Sequence, residues 1–137
     1  MPWGKTNIFA DDYAWAAATA TVYSDLINYN NAPKELGFYS LFFKFTTAAG
    51  EYSINYAPFL QFTLDGGSVY GDAHAITNDE GATSVDDSGG GTIYFEARLD
   101  TQSWWKLNYG FRIYITRTLS GVASLAIVIN NSILVYI

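Results

Sequence analysis

The residues that could carry catalysis are few, beginning with the single histidine, His74, and three serines near it. A zinc site needs further His or Cys ligands, and the chain has one histidine and no cysteine. A Ser-His-Asp nucleophile would draw on Ser68, Ser84 or Ser88, yet none of them stands in a Gly-x-Ser-x-Gly pattern. The sequence therefore contains no recognisable nucleophile motif.

Paired carboxylates are the other chemistry to consider, because a glycosidase needs two of them across a cleft. Glu96 with Asp100 or Asp65 offers such a pair, but any chain with 13 acidic residues contains similar pairs. Glu96 also alternates with apolar residues in a strand pattern, which favours a place on a polar sheet face. We therefore predict that the protein is not an enzyme. The contrary hypothesis is a small hydrolase that loses activity when Glu96 or His74 is changed.

Calcium would suit the oxygen-rich side chains that concentrate between residues 65 and 91. These are Asp65, Asp72, Asn78, Asp79, Glu80, Asp86 and Asp87. Their spacing matches neither an EF-hand loop nor a glycine-rich calcium repeat. The interval is predicted to be an exposed loop whose acids are solvated turn residues, and no cofactor is predicted. Calcium binding by this loop stays an open alternative.

Net charge and the length of the apolar runs exclude two classes of partner. The formal net charge is -6, with 7 Lys plus Arg, whereas binding a phosphate backbone requires clustered cations. No apolar run approaches the ~18 residues of a membrane span. Charged residues make up 15% of the chain, below the roughly 25% of an average domain. We predict no nucleic-acid or membrane binding, and an uncharged surface that is buried in a homo-oligomer.

The positioning elements are predicted to be strands, since apolar residues recur with period two between turn residues. The inward positions are predicted as Tyr39, Leu41, Phe43, Phe45, Leu60, Phe62, Leu64, Ile93, Phe95, Ala97, Leu99, Phe111, Ile113 and Ile115. About seven or eight short strands without a convincing helix predict an all-β fold, an antiparallel β-sandwich of the jelly-roll kind.

The two ends of the chain are predicted differently. Residues 1–12 lack alternation and are predicted to be an extended N-terminal arm, with residues 13–137 as one sandwich domain. Residues 16–27 have mixed propensities, and a strand is favoured over a helix. Residues 122–137 are predicted to be a hairpin that turns at Asn130 and Asn131. Its last strand is apolar on both sides, so it is expected to be central in a sheet or covered by a partner.

Adjacent Trp104 and Trp105 suggest a binding surface, because neighbours on a strand point to opposite faces. An exposed tryptophan can stack on a sugar ring, and Tyr94, Tyr109 and Tyr114 could widen such a carbohydrate platform. Aromatic side chains also dominate protein interfaces. The interface interpretation is favoured over the sugar platform.

Three segments carry a resemblance to a known group of proteins. They are YSDLINYNNAPKEL at residues 23–36, FFKFTT at residues 42–47 and LDGGSVY at residues 64–70. Over residues 23–70, about a third of the chain, the sequence resembles small virion structural proteins of tailed bacteriophages. The resemblance implies a β-sandwich that coats or completes a particle, with trimers as the common assembly and no catalytic residues. The interval 65–91 is shorter than the resemblance leads us to expect.

Together these observations predict a capsid decoration (cement) protein on the virion surface that binds the major capsid protein or neighbouring virion proteins, with a trimer favoured. Lattice or trimer contacts are assigned to Trp3, Trp15, Trp104, Trp105 and Tyr136. The alternatives are a tail or head-to-tail component and a carbohydrate-binding module for receptor recognition.

Overall fold

The computed structural model describes residues 4–27, 38–100 and 110–136, which form two antiparallel β-sheets packed face to face. The strands are β1 (Gly4–Asn7), β2 (Tyr13–Trp15), β3 (Thr21–Tyr23), β4 (Phe38–Thr47), β5 (Ser53–Phe62), β6 (His74–Ala75), β7 (Val85–Ser88), β8 (Gly91–Asp100), β9 (Phe111–Ser120) and β10 (Ile127–Tyr136). The predicted all-β sandwich is confirmed. These ranges contain no helix that is long and apolar enough to cross a membrane.

Sheet A is built around three long strands and sheet B around two. In sheet A, β10 lies between β4 and the short pair β1 and β2, and β8 follows β4. In sheet B, β9 lies between β3 and β5, and the far side of β5 pairs with β6 and β7. The last strand, β10, is therefore central in its sheet, one of the two arrangements that its apolar sequence predicts.

The core lies between the sheets and is made by alternate residues of the long strands. In β4, Phe43 and Phe45 are fully buried, and across the sandwich the Phe45 and Tyr56 rings stack with centroids 4.2 Å apart. The predicted inward positions are buried or packed against this core with one exception, Leu64, which is 48% exposed. Leu64 lies beyond the end of β5, where the chain has already turned away from the core.

The predicted C-terminal hairpin is wrong, because residues 127–136 form one continuous strand. The pairing with β4 shifts register between Ile129 and Asn131, which marks a β-bulge at Asn130. The bulge inserts one residue and so changes the phase of the alternation: Ile127 and Ile129 point inward before it, and Ser132 and Leu134 after it. A break in alternation next to Asn-Asn looks the same in sequence as a turn.

Residues 4–7 form β1 and are part of sheet A. Gly4–Asn7 pairs with the end of β10, from Gly4 opposite Tyr136 to Asn7 opposite Ile133. Ile8 and Phe9 are buried in the core, and the Asp12 N–H donates to the carbonyl of Asn130. Nothing in the packing separates residues 4–12 from the rest of the sandwich.

Two further segments differ from the sequence interpretation. Residues 16–27 contain only the short strand β3, preceded by a turn that the Thr19 N–H closes on the Ala16 carbonyl. The interval 65–91 contains β6 and β7, both paired with β5, between exposed turns. Each of these strands is held by its partner in sheet B rather than by local propensity.

Candidate functional site

The candidate catalytic residues do not form one site. His74 lies in β6 of sheet B opposite Leu60, whereas Glu96 lies exposed in β8 of sheet A opposite Phe42. Asp65 is in the turn after β5, where its carboxylate accepts the N–H groups of nearby residues. The side chain of Asp100 lies outside the described residues. Among the described side chains, Glu96 is therefore not brought together with Asp65 or His74.

Several of the oxygen-rich side chains of residues 65–91 have structural partners. Asn78 accepts the N–H groups of Glu80 and Ala82, and the Asn55 amide donates to the Asp86 carboxylate. The Thr47 hydroxyl donates to the buried Asp87. Within residues 4–27, 38–100 and 110–136, no three acidic or histidine side chains form a group that could hold a metal ion.

A groove of about 540 Å³ runs along β8 beside the loop of residues 78–86. Tyr94 and Glu96 contribute from the strand, and Asp79 and Asp86 from the loop side. The backbone N–H of Asp79 donates to the Glu96 carbonyl, so the loop covers part of the open edge of sheet A. This contact limits strand-to-strand pairing at that edge.

The predicted interface tryptophans need one correction. Trp15 is 1% exposed, and its indole N–H donates to the Thr19 carbonyl at 2.6 Å, so this side chain belongs to the core. Trp3, Trp104 and Trp105 lie outside the described residues. The backbone of Tyr136 pairs with Tyr39 and Gly4, and its side chain also lies outside them.

The predicted carbohydrate platform is divided by the fold. Tyr94 lies on the outer face of sheet A and Tyr114 on the outer face of sheet B, while Tyr109 lies outside the described residues. Two of the three tyrosines therefore point in opposite directions across the sandwich. They cannot contact one ligand together.

The outer face of sheet A carries an apolar group that we call the sheet A patch: Val135, Ile133, Phe42 and Tyr94. Ile133 is opposite Phe42 in the register of β10 and β4, and the Phe42 and Tyr94 ring centroids are 5.8 Å apart. Tyr94 is 51% exposed, and the other three are half-buried without any layer above them in the described structure. The patch is bordered by polar residues of the edge strands, Lys5 and Asn7 in β1 and Glu96 and Arg98 in β8.

The outer face of sheet B carries a row of three aromatic rings, which we call the aromatic ladder: Tyr23, Tyr114 and Phe59. The three residues are directly opposite one another in β3, β9 and β5. Ring centroids are 5.3 Å apart between Tyr23 and Tyr114 and 5.0 Å apart between Tyr114 and Phe59. Burial, with a smaller contribution from Tyr23, raises the pKa of Tyr114 above its usual range.

Arg112 lies beside the ladder and is held on several sides. Its guanidinium carbon is 4.4 Å from the centre of the Tyr23 ring and 3.7 Å from that of Tyr70. Its Nε donates to the Gln61 side-chain oxygen at 3.0 Å, and the Gln61 amide donates to the Gly71 carbonyl at 3.1 Å. The result is a cation fixed between two aromatic rings.

The predicted inward positions Phe111, Ile113 and Ile115 imply that Arg112 and Tyr114 point outward, but the sequence does not indicate that Tyr23, Phe59 and Tyr70 are their partners. The alternation signal placed Leu60 and Phe62 inward and so implied that Phe59 points outward. No signal in the sequence showed that β3 and β5 lie on either side of β9, since that pairing joins residues far apart in the chain.

Comparison with known proteins establishes the fold class. No protein-family model and no curated protein sequence matches the chain. The CBM22-1 xylan-binding domain of Paenibacillus barcinonensis Xyn10C matches at 7% identity with a TM-score of 0.51, covering 96% of this chain and 84% of that one. The Gt strain of infectious bursal disease virus matches at 14% identity with a TM-score of 0.55, covering 98% of this chain and 31% of the virus chain. The VP2 subviral particle of that virus matches at 15% identity with a TM-score of 0.52, covering 98% and 32%.

The chain is thus an antiparallel jelly-roll-like β-sandwich, and it spans about a third of the virus chains that it matches. At these identities the likeness concerns the fold, and function has to be argued from the exposed faces.

Proposed function

We propose that this protein is a non-catalytic virion structural protein that binds a protein shell through the outer face of sheet A. The observation that carries this proposal is the sheet A patch, an apolar centre with a polar border on a central part of the sheet. Protein interfaces have the same anatomy, with a core depleted of charge and a solvated rim. Phe42 and Ile133 are the proposed anchors, because they are directly opposite each other at the centre of the patch.

The more specific proposal is a decoration protein on the head of a tailed bacteriophage, with the major capsid protein as its partner and the capsid surface as its location. The resemblance of residues 23–70 to phage virion proteins supports it, and so does the likeness of the fold to chains of an assembled virus. The low charge content of 15% suits a small domain that buries much of its surface. A homotrimer is proposed, with Trp3, Trp104, Trp105 and Tyr136 as further contacts.

The proposed action is adhesion. A protein that binds the assembled shell more tightly than the free shell subunits shifts the assembly equilibrium toward the shell, because binding free energy is linked to particle stability. This action needs complementary surface but no reacting group. It agrees with a fold that separates Glu96 from His74 on different sheets.

The test is co-sedimentation of the purified protein with empty heads assembled from the major capsid protein of the same genome. Wild-type protein is expected to sediment with the heads. Ile133→Lys should reduce occupancy by about tenfold or more, because it places a charge at the centre of the patch. The matched control is Thr118→Lys, which adds the same charge to an exposed position on sheet B.

Equal occupancy by Ile133→Lys and wild-type protein would disprove the role of the patch. Failure of the wild-type protein to bind heads, together with binding to purified tails, would move the protein to the tail. Light scattering gives the oligomeric state independently, since a trimer contains three chains of 15.1 kDa each.

A further inference from the structure

A second binding site is formed on the sheet opposite the proposed shell contact. We infer that Arg112 and the aromatic ladder bind a carboxylate of an acidic polysaccharide, with Arg112 contacting the carboxylate and the ladder contacting the adjoining sugar. The inference is independent of the shell contact because it uses residues of sheet B and of the turn after β5.

The Arg112 side chain is ordered before any ligand arrives. The rings of Tyr23 and Tyr70 contact its guanidinium group, and Gln61 accepts its Nε–H. Gln61 is itself fixed by its bond to Gly71. A guanidinium held in this way loses little further rotamer freedom on binding, which favours affinity.

The turn after β5 places Tyr70 in this site. The Asp65 carboxylate accepts the backbone N–H of Ser68 at 2.9 Å and that of Val69 at 2.7 Å. Gly66 and Gly67 adopt φ values of 88° and 137°, which favour glycine. The closed turn brings Tyr70 back to pair with Thr63, so that its ring reaches Arg112. The segment LDGGSVY therefore forms the turn that positions Tyr70 against Arg112.

Within the described part of the chain, no residue forms a hydrogen bond with the terminal NH2 groups of Arg112. Among the described residues, the one hydrogen bond of the Arg112 side chain is made by its Nε, and no carboxylate forms an ion pair with the guanidinium group. Two parallel N–H donors on one edge of a guanidinium match the two oxygens of a carboxylate. Among the described residues, Arg112 is thus an ordered cation whose terminal N–H groups can pair with a carboxylate ligand.

The body of the ligand would lie against the aromatic ladder. Phe59 and Tyr114 are cross-strand neighbours with rings inclined by 15°, so the stacking axis lies along the sheet and the ring edges face solvent. Ring edges carry partial positive charge and attract oxygen atoms. The next row along the sheet pairs Thr21 with Thr116, which adds hydroxyl groups. This combination suits a ligand rich in oxygen atoms, with carboxylates spaced among hydroxyl groups.

Two other anionic partners fit less well. A nucleic acid would need several cations along its backbone, and Arg112 is the one cation that the described structure places on the outer face of sheet B. An acidic protein surface is less well matched, because the row beside the ladder carries the hydroxyl groups of Thr21 and Thr116. The chemistry favours a polysaccharide with one carboxylate per sugar or fewer.

The test uses the full chain and three polymers: polygalacturonate, alginate and polysialic acid, with methyl-esterified polygalacturonate as the uncharged counterpart. Binding is measured by affinity electrophoresis and by calorimetry. We expect at least one acidic polymer to bind, and the ester to bind about tenfold or more weakly to the same protein if polygalacturonate is that polymer. For the other two polymers, carboxyl-reduced forms are the counterparts.

The variants separate the role of the guanidinium from that of charge. Arg112→Gln should weaken binding by about tenfold or more, and Arg112→Lys should also weaken it, because a single ammonium cannot form the paired bonds. Lys44→Gln removes one positive charge from sheet A and should bind like wild type. Thermal unfolding of each variant confirms that the fold is retained.

Three results would overturn the inference: no binding to any of the acidic polymers, equal binding of acidic and uncharged forms, or wild-type affinity in Arg112→Gln. Tighter binding to polyglutamate than to the polysaccharides would assign the site to an acidic protein instead. Ile133→Lys should bind polysaccharide normally, and Arg112→Gln should bind heads normally, so each proposal can fail without the other.

Discussion

The Ser132 hydroxyl bonds twice to the backbone of Phe9: it accepts the Phe9 N–H at 2.7 Å and donates to the Phe9 carbonyl at 3.1 Å. The two residues are 123 positions apart, and both are buried. Here the chain leaves β1 and passes into the core before it reaches β2. A single hydroxyl thus satisfies the two backbone groups that this excursion removes from the ladder with β10.

Ser132→Ala is predicted to lower the free energy of unfolding by about 1–3 kcal/mol, because it leaves a buried N–H and a buried carbonyl without a partner. Chemical denaturation of the purified protein measures the change. The control is Ser120→Ala, at the exposed end of β9, which should stay within about 0.5 kcal/mol of wild type. A Ser132→Ala variant as stable as this control would contradict the assignment.

Tyr56→Phe is predicted to stabilise the protein by about 1 kcal/mol at neutral pH. The Tyr56 ring is fully buried, and its hydroxyl has no hydrogen-bond partner among the described residues, which is a cost that phenylalanine avoids. The measurement is chemical denaturation at pH 7. A loss of more than about 1 kcal/mol would mean that the hydroxyl has a partner after all.

The same residue gives a prediction at alkaline pH. Burial first, and then the charge of Asp87, raise the pKa of Tyr56 above its usual range. The folded protein holds the Tyr56 proton more tightly than the unfolded chain does. This difference stabilises the folded state below about pH 10, and the stabilisation is lost as the pH rises further. The stability of wild type should therefore fall more steeply than that of Tyr56→Phe between about pH 9 and 11. Parallel curves would refute the assignment.

Arg117→Met is predicted to destabilise the fold by about 3 kcal/mol. Arg117 is buried on the core side of β9, and its guanidinium donates to the carbonyls of Leu125, Ala16 and Ala17. Losing it leaves these acceptors unpaired, and bonds to a charged group are stronger than average. Arg117→Lys, which has fewer donors in a different geometry, should lie between methionine and wild type. The prediction fails if the methionine variant unfolds at the wild-type denaturant midpoint.

Asp65→Asn is predicted to lower the thermal midpoint at neutral pH and to have less effect in acid. The N–H groups of Val69 and then Ser68 lower the pKa of Asp65, so the charged form stabilises the turn above the ordinary carboxyl pKa. That contribution is lost as the pH falls through the lowered pKa of the folded protein. Scanning calorimetry from about pH 2 to 7 tests whether the thermal midpoints of wild type and Asp65→Asn approach each other as the pH falls. Asp72→Asn, in the exposed segment after Tyr70, is the control.

Strand faces were predictable because alternation is a local property of the backbone. Phe95 and Ala97, for example, are buried as predicted, since successive residues of any strand point to opposite sides. The position of a strand in its sheet, in contrast, depends on residues that are distant in the chain. Residues 122–137 were expected to form a hairpin that turns at Asn130 and Asn131, but pairing with β4 on one side and with β1 and β2 on the other keeps residues 127–136 in one strand.

In the candidate sites, too, alternation predicted which way a side chain points, and strand pairing decided which side chains meet. Arg112 and Tyr114 were outward in the sequence pattern, and only the tertiary structure placed Tyr23 beside them through the pairing of β3 with β9. Trp15 was expected at a contact because tryptophan is common in interfaces, but its position in β2 directs the side chain into the core. Residue type alone does not separate these two uses of a large aromatic ring.

By itself, the sequence determined an all-β chain with alternating strands, no cysteine chemistry, one histidine and a net negative charge. The tertiary structure decided which strands are neighbours, where the bulge at Asn130 changes the phase of β10, and how Arg112 comes to lie between Tyr23 and Tyr70. The physical reason is that strand propensity and alternation act between adjacent residues. The register of two strands depends instead on burying the faces of segments that are distant in the chain.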